Sequence, residues 1–197
     1  MPQYPSIILA SQSPRRKTLL EWAEVSFEVI VKETAEDYPA DLPIPEVPVH
    51  IAHNKAITVQ QHVQTAFHGV YKDSIILAAD TVVVLGNTII GKPANRNEAI
   101  ATLQALSGNT HQVITGVVLL KGETRVAFAD TTEVSFHEIT EEEIAFYVDK
   151  YQPYDKAGAY AIQEWIGVAG IKKIHGDFYN VMGLPVSRVL QELKRFQ

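Results

Sequence analysis

Ser74–Leu85 reads SIILAADTVVVL, and this stretch decides the fold. Two runs of aliphatic residues flank an Ala-Asp-Thr centre, with no helical period, so it reads as a strand broken in the middle. Gly86-Asn87 is a hairpin turn signal and Thr88–Ile90 begins the return strand. Asp80 is out of place in such a run. A carboxylate among apolar residues is costly unless it is paired, solvated in a cleft or bound to a metal. The small residues Ala78 and Ala79 leave room for a ligand to approach. Two readings stand side by side: a strand kink in which Asp80 caps a neighbouring N–H, and a general base or metal ligand.

Upstream, Ser6–Ala10 reads as a short buried strand, followed by a helix from Pro14 to about Glu24 with Ser13 as its cap. Phe27, Val29 and Val31 alternate as a second strand over Ser26–Val31. Lys32–Pro48 holds four prolines and five acids and reads as a loop, with Val49–Phe67 a helix ending at Gly69. Downstream, Asn95–Leu106 reads as a helix capped by Asn95 or Asn97, with Gly108 at its end. Thr110–Leu120 and Thr124–Phe136 are long strands joined by Lys121-Gly122-Glu123. Thr140–Lys150 opens with the capping-box pair Thr140 and Glu143. Tyr151–Gly170 receives no assignment. Ile171–His175 and Phe178–Met182 read as a hairpin about Gly176-Asp177, and Pro185–Arg195 as a closing helix. Hairpins mixed with strand–helix units give an α/β or α+β class with a mixed sheet.

Composition narrows the chemistry. The chain has 197 residues, 46% hydrophobic and 20% charged, so disorder is excluded for its bulk and one domain spanning 1–197 is expected. It has no cysteine, which excludes disulfides, thiolate zinc sites and a cysteine nucleophile. MPQYPSIILAS lacks a basic leader and no apolar run approaches about 20 residues, so a cytoplasmic protein without a membrane partner is expected. The net charge of −6 argues against broad nucleic-acid binding. It is silent about one small anion.

Several motifs carry chemistry. Gly86–Pro93 (GNTIIGKP) nearly fits a phosphate-binding loop, but its last position is Pro93, with no hydroxyl for magnesium. Its β-prone spacer also follows a hairpin turn, where such a loop must open a helix. Lys92 stays of interest as a lone cation. Ser11-Gln12-Ser13-Pro14-Arg15-Arg16 sits where a strand ends and a helix starts. Anions favour that place, and two hydroxyls and two guanidiniums add donors. The plainer reading is a capped helix with a solvated basic turn. Glu33 and Glu36 lie in an acidic loop whose oxygens suit hard divalent cations. His50 and His53 have i, i+3 spacing but no evident third ligand, so a solvated helix face is favoured. Tyr154–Gln163 (YDKAGAYAIQ) is rich in small residues and ends in Gln163, whose donor and acceptor suit the edge of a base.

Taken together, the chain resembles the Maf family of nucleoside triphosphate pyrophosphatases over essentially its whole length. The pieces that carry the resemblance fall in the family's order: Ser11–Arg16, Asn54-Lys55-Ala56, Ala79-Asp80-Thr81, Gly91-Lys92-Pro93, Leu106-Ser107-Gly108, Asp155–Tyr160 and Gly183-Leu184-Pro185. The resemblance implies an elongated mixed sheet with flanking helices and two lobes about a central cleft, similar to the inosine triphosphate pyrophosphatase fold. It implies hydrolysis to the monophosphate and pyrophosphate with a divalent metal, magnesium or manganese, and a homodimer. Asp80 matches the proton acceptor, and Arg15, Thr81 and Gln163 match the positions that mark the branch acting on dTTP and UTP. The family's metal-side acid lies after the second strand, where Glu33 and Glu36 are both available and the offset from Phe27 favours Glu36.

These residues combine into one expected mechanism. Ser11, Ser13, Arg15, Arg16, Lys55 and Lys92 hold the triphosphate, Glu36 and Asp80 hold the metal, and Asp80 deprotonates the water that attacks the α-phosphorus. Thr81 and Gln163 read the pyrimidine. The rival readings are a non-catalytic nucleotide-binding regulator of cell division, and the same hydrolysis directed at modified nucleotides.

Overall fold

The structure is a computed structural model that describes residues 4–67, 70, 71 and 73–196. The strands are β1 (Ile7–Leu9), β2 (Phe27–Val29), β3 (Ile75–Leu85), β4 (Thr88–Ile90), β5 (Thr110–Lys121), β6 (Thr124–Phe136) and β7 (Ile171–His175). The helices are α1 (Pro14–Trp22), α2 (Val47–Ala66), α3 (Arg96–Leu106), α4 (Glu141–Tyr151), α5 (Trp165–Gly170), α6 (Phe178–Met182) and α7 (Val186–Leu193). Among the described residues the strands form one seven-stranded sheet in the order β2-β1-β3-β5-β6-β7, with β4 paired to β3. Pairing of β1 with β2 and with β3 is parallel, and β4 and β7 pair antiparallel to β3 and β6. The sheet is therefore mixed, with helices around it, as expected. Parallel neighbours need long crossovers, which α1 and α2 supply.

The chain divides into two compact units whose boundaries fall inside β3, β5 and β6. The first holds residues 1–80, 115–130 and 183–197. Its core sets Ala52, Ala56, Val59 and Val63 of α2 among Ile8, Ile76, Ala78, Val118 and Leu120 of the strands. That helical spacing places one apolar stripe on the sheet. The approach is close because Gly116 of β5 has no side chain: a Cβ there would lie 2.2 Å from the Val49 nitrogen. The helix starts two residues earlier than its periodicity suggests, since proline is tolerated in a first turn and Pro48 occupies it. Its expected end at Gly69 lies outside the described residues.

The second unit holds residues 81–114 and 131–182. Here α3 and α4 pack together. Asn95 caps α3 by accepting from the Glu98 N–H, and Thr140 and Glu143 form the expected capping box on α4. The segment Phe178–Met182 is a helix, not the second arm of a hairpin. Asp177 explains the difference, because its carboxylate accepts from the N–H groups of Tyr179 and Asn180 and so starts a helix where Gly-Asp reads as a turn. The unassigned stretch resolves into the end of α4, a 3-10 turn at Ala157–Ala159, and α5.

His111 lies in this unit's core, with its Nε2 2.7 Å from the Tyr160 hydroxyl and Phe136 packed edge-on at 5.2 Å. Burial pushes its pKa down from 6.5 to about 4. Between those two values only the unfolded chain takes up the proton, so this group's contribution to stability falls as pH falls through that window. Urea denaturation of the wild type should therefore depend on pH more steeply there than that of His111→Gln. The expected excess is up to about 1.4 kcal/mol per pH unit, and equal slopes would contradict the assignment.

Candidate active site

The first unit gathers most of the residues expected to carry chemistry. Ala10, just past β1, donates its N–H to the Leu77 carbonyl of β3 at 2.8 Å, which ties the start of the Ser11–Arg16 loop to the strand that carries Asp80. Ser11 is buried, and its Oγ accepts from the Ser13 N–H at 3.3 Å and from Arg16 Nη1 at 3.0 Å. Arg16 also donates through Nε to the Gly183 carbonyl at 2.8 Å. Its burial, the largest influence, lowers its pKa, while Asp80 and Glu36 act to raise it and Arg15 to lower it. The guanidinium is thus a buried cation facing two carboxylates, tied to the Gly183-Leu184-Pro185 motif. Arg15 and Ser13 are half-buried. Ser13 stands at the N-cap of α1 but makes no side-chain cap bond. The sequence places its hydroxyl as the helix cap. Instead the local bond runs the other way, from the Ser13 N–H to Ser11.

Asp80 lies within an unbroken β3, so the break read from the sequence is absent. Its Oδ1 accepts from Lys55 Nζ at 2.8 Å, and the same ammonium donates to Glu36 Oε1 at 2.6 Å. The Lys55 and Asp80 side chains are 18% and 14% exposed, and Glu36 is 51% exposed. The proximal pair is therefore shielded and the distal acid is wet. Glu36, the acid favoured by its offset from Phe27, is brought to Asp80 through one shared cation. That convergence has physical content, because two carboxylates turned toward one point repel unless a positive charge lies between them.

No group of three or more His, Asp or Glu side chains able to hold a metal occurs among the described residues. His50 instead pairs with Asn54 at 3.2 Å along α2. The donor set at Glu36 and Asp80 fits a hard divalent cation of a particular kind, one bound by one or two carboxylates whose remaining ligands are phosphate oxygens and water.

Thr81, Lys92 and Gln163 belong to the second unit. Thr81 follows Asp80 in β3 and is half-buried, while Lys92 and Gln163 are exposed. Gly91-Lys92-Pro93 leaves β4 and runs to the Asn95 cap of α3, so no helix opens at it and no phosphate-binding loop forms. The Gly91 carbonyl accepts from the Gly158 N–H at 3.2 Å. Gly158 has φ +71°, and a Cβ there would lie 2.9 Å from Val83. Only glycine meets both demands, so the segment leading to Gln163 is seated against the segment carrying Lys92. Sequence reasoning passed over Tyr147, whose hydroxyl accepts from the Ala161 N–H before Gln163 and donates to the Glu164 carboxylate after it. Its one sequence signal is a place on the apolar stripe of α4, indistinguishable from ordinary core.

A family model described as Maf-like protein matches residues 6–196. A dTTP/UTP pyrophosphatase of Cytophaga hutchinsonii is 48% identical over 189 residues, covering 96% of this chain and 83% of that protein. One from Parabacteroides distasonis is 46% identical over 191 residues, covering 96% and 95%, and one from Porphyromonas gingivalis is 48% identical over 193 residues, covering 96% and 94%. Among solved structures, the Ham1 protein of Staphylococcus aureus matches with a TM-score of 0.45 and 13% identity over 68% of this chain and 72% of that one. With its family model spanning almost the entire sequence and relatives at 46–48% identity across 96% of its length, the chain belongs to the Maf family.

Proposed function

We propose that this protein hydrolyses dTTP and UTP to the nucleoside monophosphate and pyrophosphate. The observation that carries the reading is the shared ammonium of Lys55 between Glu36 and Asp80, in a chain so similar to three dTTP/UTP pyrophosphatases.

In this reading Asp80 is the general base. Its carboxylate accepts a proton from water as the water oxygen bonds to the α-phosphorus, the α–β bridging bond breaks, and pyrophosphate leaves with the bridging oxygen. Lys55 donates to the Asp80 carboxylate and fixes its direction, which suits a group that must meet a single water. Ser11 sets Arg16, and Arg16 with Arg15 and Ser13 offers donors to the anionic phosphates at the start of α1. Glu36 and Asp80 would hold a divalent cation, magnesium or manganese, which would supply charge neutralisation at the phosphates. From the second unit, the resemblance assigns Lys92 to the triphosphate and Thr81 and Gln163 to the pyrimidine edge.

Two substitutions test this reading. Asp80→Asn should lower pyrophosphate release from dTTP and UTP by about 10²-fold or more, while equilibrium dialysis shows nucleotide binding within a few-fold of wild type. Unchanged turnover would remove Asp80 as base, and absence of product from the wild type with any nucleotide would favour a non-catalytic regulator. Lys55→Met removes charged hydrogen bonds worth about 1.5–3 kcal/mol. It should therefore reduce kcat by about ten- to hundredfold, and a kcat within twofold of wild type would contradict the role given to the bridge.

A further inference from the structure

Gln163 sits at the tip of a tight turn. The Glu164 N–H donates to the Ala161 carbonyl at 3.0 Å, which makes Ala161–Glu164 a four-residue turn with Gln163 third. Ala161 and Ile162 are buried, whereas Gln163 is exposed. One side chain from outside the turn grips both its ends. The Tyr147 hydroxyl accepts from the Ala161 N–H at 3.2 Å and donates to the Glu164 carboxylate. Tyr147 is fully buried on α4 and its ring stacks on Tyr151 with centroids 5.0 Å apart. The hydroxyl is therefore carried on a rigid strut.

The neighbouring backbone needs such a strut. Ala159 adopts φ +58°, which a residue with a Cβ disfavours, so the surroundings must impose it. Tyr160 is tied to His111, and Gly167 lies so close to Ile162 that a Cβ there would stand 1.7 Å from the Ile162 carbonyl oxygen. Each contact fixes the stretch before Gln163, and Tyr147 adds a side-chain bridge across the residue itself, from the Ala161 N–H to the Glu164 carboxylate.

We propose that Tyr147 is a positioning residue for base discrimination, acting through Gln163; the proposal rests on the reading of Gln163 as the group that meets the pyrimidine edge. The hydroxyl does not touch substrate. It holds the turn so that the Gln163 amide is presented in one orientation, and a misplaced amide loses selectivity before it loses chemistry.

The test is a double-mutant cycle on the full-length protein with Tyr147→Phe and Gln163→Ala, assayed by pyrophosphate release from dTTP, UTP, CTP and GTP. Tyr147→Phe should raise KM for dTTP and UTP about tenfold and cut their kcat/KM advantage over CTP and GTP about tenfold, with kcat changed less than threefold. In the Gln163→Ala background the same substitution should change discrimination less than twofold. Full additivity of the two effects, or a fall in kcat shared by all four nucleotides with discrimination intact, would overturn the proposal and leave Tyr147 a structural residue. Unaltered discrimination in Gln163→Ala alone would instead overturn the reading of Gln163. If Tyr147→Phe fails to fold, Glu164→Gln enters the cycle in its place. It weakens the same grip, and is expected to shift discrimination in the same direction by a smaller factor.

Discussion

One ammonium group organises the first unit. Lys55 Nζ stands within hydrogen-bonding distance of Glu36 and Asp80, residues separated from it by 19 and 25 positions in sequence. Several unrelated features make that meeting possible. The Ala52, Ala56, Val59, Val63 stripe sets the rotation of α2, and Gly116 lets the start of the helix lie almost on the sheet backbone. The strand β3 carries Asp80 through an apolar run where a bare carboxylate is costly, and the lysine offsets that cost. A helix shifted by one residue turns about 100° and points Lys55 elsewhere. The packing of small residues is thus a condition of the electrostatics.

In the proposed reading the second unit has a different task, the presentation of the Gln163 amide at a turn tip. Its devices are mechanical: a tyrosine strut across Gln163, a buried histidine holding Tyr160, and glycines where backbones touch. Burial pushes the His111 pKa down to about 4, so its ring is neutral at ordinary pH. A neutral imidazole paired with a phenol hydroxyl braces the loop without introducing charge.

Much of this was legible in the sequence wherever a local rule governs. The β5–β6 hairpin, the capping box of α4 and the Asn95 cap depend on neighbours within four residues, and each appears where the pattern places it. Local rules failed where one signal has two meanings. Gly176-Asp177 fits a hairpin turn and a helix cap equally, and here the Asp177 carboxylate accepts from the Tyr179 and Asn180 N–H groups and starts a helix. Ser13 has the residue type of a cap, yet its hydroxyl makes no cap bond and its own N–H donates to Ser11. Contacts across long separations left no local trace: Arg16 meets Gly183 across 167 positions, and Tyr147 reaches Glu164 from another helix. The candidate site was visible as an ordered set of family motifs. The strut behind Gln163 was not, because a buried tyrosine on an amphipathic helix looks like any other.

In the proposed reaction water attacks the α-phosphorus and pyrophosphate is the leaving group. Single-turnover hydrolysis of dTTP in ¹⁸O-water, with both products analysed by mass spectrometry, tests it most directly. The expected result is one ¹⁸O atom in the thymidine monophosphate and none in the pyrophosphate. Label in the pyrophosphate, or release of orthophosphate in its place, would contradict it.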